Sequence, residues 1–302
     1  MITGSRSILF VHAHPDDESA STGGTIARYI AEGADVTVIT CTRGEQGKIA
    51  VPELAHCAAD KDDTLGAVRS AELAAAIHEL GVKDHRYLIA EGFYRDSGRM
   101  GLPSNNRPDA FWQADLDQAA AWLARVIREI HPDALVTYDP TGGYNHPDHI
   151  QAHRVAMRAV QLAETTSLRI PGSPYQVPKV YWCAIPRHFI QAQLDDLKAH
   201  ENQLPDMWIN TDPGEYPEGV HDDSEIAIQL DVSDYLGVKC AATACHRTQA
   251  SVRDGFSVLA SGRANRIQDH EWFIDATAWQ QGVRETPWRD SLFDDQKTQA
   301  SG

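Results

Sequence analysis

His14, Asp16, Asp17 and Glu18 put four ionisable side chains into five positions near the start of the chain. Carboxylates gathered on one turn repel one another unless a cation sits among them, and His with Asp suits zinc or iron(II). The same three acids also suit a helix start, where they cap amide groups and complement the helix dipole. A second cluster lies far along the chain, at Gly142-Gly143-Tyr144-Asn145-His146-Pro147-Asp148-His149. Two glycines permit a tight turn close to a ligand. Pro147 stiffens the bend, and a helix beginning near Asp148 carries His149 on its first turn. An isolated His is ordinarily a surface side chain, but two His/Asp clusters on one sheet edge read most economically as one shared metal site. His153, one turn after His149 on the same helical face, reads as a solvated residue in preference to a partner supporting the metal ligands.

The elements that must position these groups follow from apolar patterning. Ile8 to Val11 reads as a buried strand and Ser19 to Gly33 as the helix after it, with Gly33 as its stop. Asp35 to Cys41 is a second strand, ending in the polar loop Arg43 to Gly47. Leu65 to Leu80 is an amphipathic helix, Arg86 to Ala90 a third strand, Leu116 to Ile130 a helix and Ala134 to Tyr138 a fourth strand. Between them, Glu91 to Asp109 forms a long polar loop of the functional kind. The helix from Asp148 runs through Ala163. This alternation predicts an α/β fold, a Rossmann-like, mainly parallel sheet with helices on both faces, plus a smaller C-terminal lobe. Both His/Asp clusters then follow carboxyl ends of parallel strands, where ligands bind in such sheets. Residues 1–170 read as the metal-binding catalytic core. Residues 171–302 are expected to complete the sheet and the active-site wall, with strands at Val180 to Ala184 and Glu225 to Val232 and helices at Ile190 to His200 and Tyr235 to Gln249. Leu204 to Asp223 reads as a Pro/Asp/Gly-rich excursion, and the chain after Glu285 as a polar, disordered tail.

Composition narrows the function classes. The 302 residues are 42% hydrophobic and carry a net charge of −16, so neither a nucleic-acid nor an anionic-membrane surface is expected. No apolar stretch approaches a membrane span and no signal peptide is expected, so the protein reads as cytoplasmic. Five cysteines without CxxC spacing indicate neither a disulfide framework nor a Cys-rich zinc site. Cys240 and Cys245 read as buried apolar residues of a helix. Gly23-Gly24 falls inside a helical pattern, and no GxGxxG fingerprint follows the first strand.

The pair of motifs AHPDDE (Ala13 to Glu18) and HPDH (His146 to His149) resembles the LmbE-like, or PIG-L, superfamily of zinc-dependent N-deacetylases. The stretches His12 to Ser19, Thr137 to His149 and Tyr94 to Gly98 together resemble its branch that makes and uses mycothiol, and the Arg95-Asp96-Ser97-Gly98 loop resembles the biosynthetic deacetylase, which acts on N-acetylglucosaminyl-inositol. The resemblance covers most of residues 6–185 and, more loosely, His246 to Gln249. It implies one zinc per subunit, with iron(II) as the alternative, on His14, Asp17 and His149. It implies Asp16 as general base, Tyr144 or a protonated His146 at the oxyanion, and His146 as proton donor to the leaving amine. Asp148 would orient His146 and favour its charged form. Asp96 would bind sugar hydroxyls and Arg69 the inositol, although Arg69 also suits a helix salt bridge with Glu72. Glu18 reads as a helix-start acid and His12 as a packed strand residue.

The partner is then a small amino-sugar substrate. Ser21 to Gly24 supply no Lys after the first motif, which favours the inositol-linked deacetylase over a mycothiol S-conjugate amidase or a deacetylase of another N-acetyl amino sugar. A metal-bearing sugar-binding protein without turnover is the reading from a different class. The oligomeric state is not legible.

Overall fold

Each apolar run becomes a strand because both of its faces are covered. In β1 (Ser7–His12), Ile8 and Phe10 enter one core and Leu9 and Val11 the other, all fully buried. This is the alternation of a central strand. The computed structural model describes residues 5–166, 170–199, 220–259, 264–283 and 288–293. Helix α1 (Asp17–Ala31) starts two residues earlier than the pattern predicts, so Asp17 and Glu18 lie on its first turn. It is followed by β2 (Asp35–Thr40), α2 (Leu65–Glu79), β3 (Asp84–Tyr87), α3 (Leu116–Ile130) and β4 (Ala134–Tyr138). Helix α3 forms where expected because Asp115 caps it, accepting from the Gln118 N–H at 2.9 Å, and Leu123, Val126 and Ile127 lie on its buried stripe. The third strand sits earlier than its apolar run: Ile89 has a φ of 67°, which ends the extended chain.

The second cluster opens on the short turn α4 (Gly142–Asn145) and continues into α5 (Pro147–Glu164). Then come β5 (Lys179–Pro186), α6 (Arg187–Ala199), β6 (Val220–His221), β7 (Ile228–Asp231), α7 (Leu236–Cys245), β8 (Ala250–Arg253), β9 (Phe256–Leu259), β10 (Ala264–Arg266), β11 (His270–Asp275) and α8 (Ala276–Gln280). The main sheet runs β3-β2-β1-β4-β5-β11-β7, with β6 beside β5. Strands β3, β2, β1, β4 and β5 are parallel to their neighbours in that order. Strand β11 is antiparallel to both β5 and β7. Chain order reverses between β1 and β4, so the loops after these two strands open a crevice at their carboxyl ends. Helices α3 and α5 pack together on one side, and α1 and α2 pack with α7 on the other.

Residues after 170 extend the same sheet, and β8, β9 and β10 form a separate three-stranded sheet. The carboxylate of a buried ion pair joins the C-terminal stretch to α1. The Lys239 ammonium lies 2.7 Å from Glu271, whose carboxylate also accepts the N–H groups of Gly24 and Thr25 at 3.0 and 2.8 Å. A side chain at Gly24 would meet Val232 at 2.5 Å, so the glycine inside α1 admits this close approach.

Several expectations change. Helix α7 stops at Cys245, and His246 to Gln249 form a turn. Cys240 and Cys245 are half-buried rather than buried. The tail is not wholly free: Leu292 is fully buried and its N–H donates to the Tyr29 hydroxyl at 2.8 Å. The tail outside residues 288–293, and most of Leu204 to Asp223, lie outside the described residues. Among the described residues no helix is long and apolar enough to cross a membrane.

Candidate metal and active site

The turn after β1 folds back on itself. Asp17 accepts the His14 N–H at 2.8 Å, and the Tyr138 hydroxyl, at the end of β4, donates to the same Asp17 oxygen at 2.7 Å. That hydroxyl also accepts the Ala13 N–H at 2.8 Å. Asp16 takes up a φ of 114° as the residue before α1. The turn after β4 is set by Asp139, which accepts from the N–H groups of Thr141 and Gly143 at 2.8 and 3.0 Å. Gly142 has a φ of 65°, and a Cβ there would meet the Ile150 nitrogen at 2.7 Å. Only glycine lets the turn pass so close to the start of α5. Its carbonyl accepts from His149 Nδ1 at 3.1 Å.

These turns bring His14, Asp17 and His149 together. His14 Nδ1 and His149 Nε2 are 3.2 Å apart, and Asp17 Oδ2 lies 3.4 Å from the first and 3.5 Å from the second. With bonds of about 2.0–2.1 Å, two ligands of a tetrahedral zinc stand about 3.3–3.4 Å apart. The donor set fits one divalent ion with a further position open. His149 suits a ligand electrostatically: burial and then His14 press its pKa down to about 4 against the pull of Asp17, which leaves a neutral imidazole. His14 shows the demand for positive charge. Burial opposes its ionisation, yet Asp96, Asp148 and Asp17 hold its pKa well above the usual value. Two more sets of potential ligands share His14, one with His146 and His149 and one with Asp96 and Asp148.

The structure corrects the expected surroundings. Asp148 does not orient the His146 ring through its carboxylate. It lies 3.2 Å from His14 Nε2, accepts the Ser97 N–H at 2.8 Å and is bonded by the Ser97 hydroxyl. This is the carboxylate–imidazole arrangement that orients metal-binding histidines. His146 instead accepts the Asp148 backbone N–H on Nδ1, at 3.2 Å. That fixes the neutral tautomer with its proton on Nε2. Burial, then His14 and His149, press the His146 pKa down to about 2, so the charged form is disfavoured rather than favoured.

Asp96 is buried beside His14, 3.6 Å from Nε2, and its oxygens accept the N–H groups of Gly98 and Gln46 at 2.7 and 3.1 Å. It is pinned into the cluster rather than displayed on the open loop. Arg69 is only 3% exposed. Its guanidinium donates to the carbonyl of Gly44 at 2.8 Å and to that of Pro15, and lies 3.2 Å from the Asp16 carboxylate. The helix salt bridge with Glu72 is replaced by Glu72 accepting from Thr248. Burial, opposed by Arg69, raises Asp16 to about 6. Tyr144 is 53% exposed, its ring 4.9 Å from that of His149, over the mouth of the cluster.

Sequence reading missed Tyr138, Ser97 and the Glu18–His246 pair. Glu18 is no mere helix-start acid; it is fully buried against His246. His12 is the packed strand residue expected, bonded to Thr22 at 2.9 Å. His153 is half-buried, with Nδ1 2.9 Å from the Tyr138 carbonyl, so it is not solvated.

Residues 9–160 match the family model described as PIG-L, GlcNAc-PI de-N-acetylase. The chain is 50% identical over 268 residues to a 1D-myo-inositol 2-acetamido-2-deoxy-alpha-D-glucopyranoside deacetylase of Thermobispora bispora, covering 89% of this chain and 87% of the other. It is 45% identical to the protein of the same name from Geodermatophilus obscurus, covering 97% and 98%. Among solved structures, the N,N'-diacetylchitobiose deacetylase of Pyrococcus horikoshii shares the fold, with a TM-score of 0.54 at 21% identity over 83% of this chain and 72% of that one. With the family model spanning half the chain and relatives matched along nearly all of it, this protein belongs to the PIG-L family.

Proposed function

We propose that the chain is a zinc-dependent deacetylase that hydrolyses the acetamide of 1D-myo-inositol 2-acetamido-2-deoxy-α-D-glucopyranoside, a step of mycothiol biosynthesis. The observation that carries the reading is the triangle of His14, Asp17 and His149 donors with the Asp16 carboxylate one residue away. Relatives of near-complete overlap bear that activity in their names.

A zinc ion held by His14, Asp17 and His149 would polarise the acetamide carbonyl and lower the pKa of a water toward neutrality, and iron(II) suits the same donors. Asp16 takes the proton from the attacking water, because it is the carboxylate beside the donor set that Arg69 holds in place. His146 donates its Nε2–H toward the developing oxyanion, and Tyr144 covers the site from the solvent side. The proton gained by Asp16 then passes to the leaving amine nitrogen, which balances the hydrolysis. This replaces the expectation that His146 protonates the amine, since its neutral tautomer has only a weakly acidic N–H. Asp148 and Asp96 hold His14.

Amine release by the zinc-loaded protein tests the reading. The inositol-linked substrate is expected to exceed free N-acetylglucosamine by at least about tenfold in kcat/KM, a difference of about 1.4 kcal/mol in transition-state binding. Preferential cleavage of a mycothiol S-conjugate would move the assignment to the amidase. Absence of amine release from every N-acetylglucosaminyl compound would leave a sugar-binding protein.

A further inference from the structure

Asp16 occupies a backbone conformation that it would not keep unaided. Its φ of 114° lies in the left-handed region, which disfavours any residue with a Cβ. A buried carboxylate holds it there. Glu18 Oε2 accepts the Asp16 N–H at 2.9 Å, and Glu18 Oε1 lies 2.7 Å from His246 Nε2. Glu18 and His246 are both buried. Among the described residues the second imidazole nitrogen, Nδ1, is buried without a hydrogen-bond partner, so the bond shown for the ring goes to Glu18. Burying an imidazole half satisfied is unfavourable, which makes the retained bond the reason for the ring's place.

The same turn secures a second support. Thr248 donates its N–H and hydroxyl to Glu72 at 2.9 and 2.6 Å. Glu72 lies on α2, one turn after Arg69, the residue that meets the Asp16 carboxylate at 3.2 Å. Residues 246 to 248 thus brace both holds on Asp16: its amide through Glu18 on α1, and its carboxylate partner through α2.

We infer that His246 is a positioning residue for the reaction: through Glu18 it fixes the main chain of Asp16, and so the aim of the Asp16 carboxylate at the attacking water. The inference rests on the assignment of Asp16 as the proton acceptor. It predicts a defect in kcat that depends on Asp16 being present.

Steady-state kinetics and metal content of zinc-loaded His246→Leu, His246→Gln, Asp16→Ala and Asp16→Ala/His246→Leu proteins test it. His246→Leu is expected to lower kcat about 10- to 100-fold, the scale of a misplaced reacting group, with zinc content unchanged and KM within about twofold. Gln supplies a donor of similar reach and is expected to restore kcat to within about threefold of the parent. In the Asp16→Ala background, His246→Leu is expected to add no further loss, because no carboxylate remains to be aimed. Equal losses in both backgrounds, or a folded His246→Gln protein as slow as the Leu variant, would overturn the inference. Should the Leu protein not fold, His246→Phe fills the space without a donor and takes its place, while the Gln arm still decides. Undiminished kcat in Asp16→Ala would remove the base assignment itself, a different failure from the one that the His246 arms report.

Discussion

Replacing His149 by alanine is expected to strip the protein of its metal and leave only a trace of activity. His149 Nε2 is one corner of a triangle whose other corners, His14 Nδ1 and Asp17 Oδ2, lie 3.2 and 3.5 Å away. Its other nitrogen is held at 3.1 Å by the Gly142 carbonyl, and its ring lies against Tyr138 with centroids 4.1 Å apart. The ring is therefore aimed before any ligand arrives. His146 lies close enough to His14 to share a metal ion with it, but its Nδ1 accepts the Asp148 N–H, which leaves only Nε2 to replace the lost donor. Losing an outer partner of a metal ligand costs about 10- to 100-fold in affinity, so losing the ligand itself should exceed that range. Metal analysis after dialysis against a chelator, beside an amine-release assay, measures both effects. A His149→Ala protein that keeps full occupancy and activity would show that the triangle is not the metal site.

Asp16→Ala is expected to separate chemistry from metal binding. Asp16 stands next to Asp17 of the donor triangle, and its carboxylate lies 3.2 Å from the Arg69 guanidinium. Zinc content should stay at the parent level while kcat falls by about 10²- to 10⁴-fold, the contribution of a positioned base. The pH profile supplies an independent sign. A base works only when deprotonated, so kcat/KM should fall as pH drops through the pKa of Asp16. Burial, opposed by the Arg69 guanidinium, sets that value at about 6 before a metal ion binds. A bound cation favours the carboxylate, so in the loaded enzyme the limb lies no higher than about pH 6. Asp16→Ala should abolish the limb. A variant that retains it, with the same midpoint, would assign the limb to another group.

The meeting of the two His/Asp clusters was legible because each follows an apolar run, and the family resemblance singled out His14, Asp17 and His149 within them. Those runs became neighbouring parallel strands, β1 and β4. Once the runs are strands, the crevice between them follows from the reversal of chain order. Partnerships that cross the fold were not legible. Asp148 is two residues from His146, yet the start of α5 turns its carboxylate to His14, 134 positions away. Sequence proximity suggested the wrong imidazole because it says nothing of the direction in which a first helical turn points. Arg69 suggested an exposed fork on a helix, whereas Gly44 and Gly47 leave room for its guanidinium to be drawn inward; a Cβ at either would fall within 2.7 Å of it. Strand β11 was missed altogether. Its sequence, His270-Glu-Trp-Phe-Ile-Asp, is aromatic and β-branched enough for a strand, but nothing local reveals that it inserts between β5 and β7. The Glu18–His246 contact spans 228 positions and has no local signal at all.

The left-handed backbone of Asp16 has a consequence for how this protein can change. A residue with a Cβ held at a φ of 114° carries strain on the order of 1–3 kcal/mol, and glycine would relieve it. Removing the carboxylate also strips Arg69, only 3% exposed, of its ion pair, so the torsion's share shows only between two variants that both lack the carboxylate. The melting temperature of Asp16→Gly should stand above that of Asp16→Ala, and neither variant should turn over substrate at the parent's rate. The aspartate is kept at a torsion that by itself favours glycine, so durability and catalysis are opposed at that one angle.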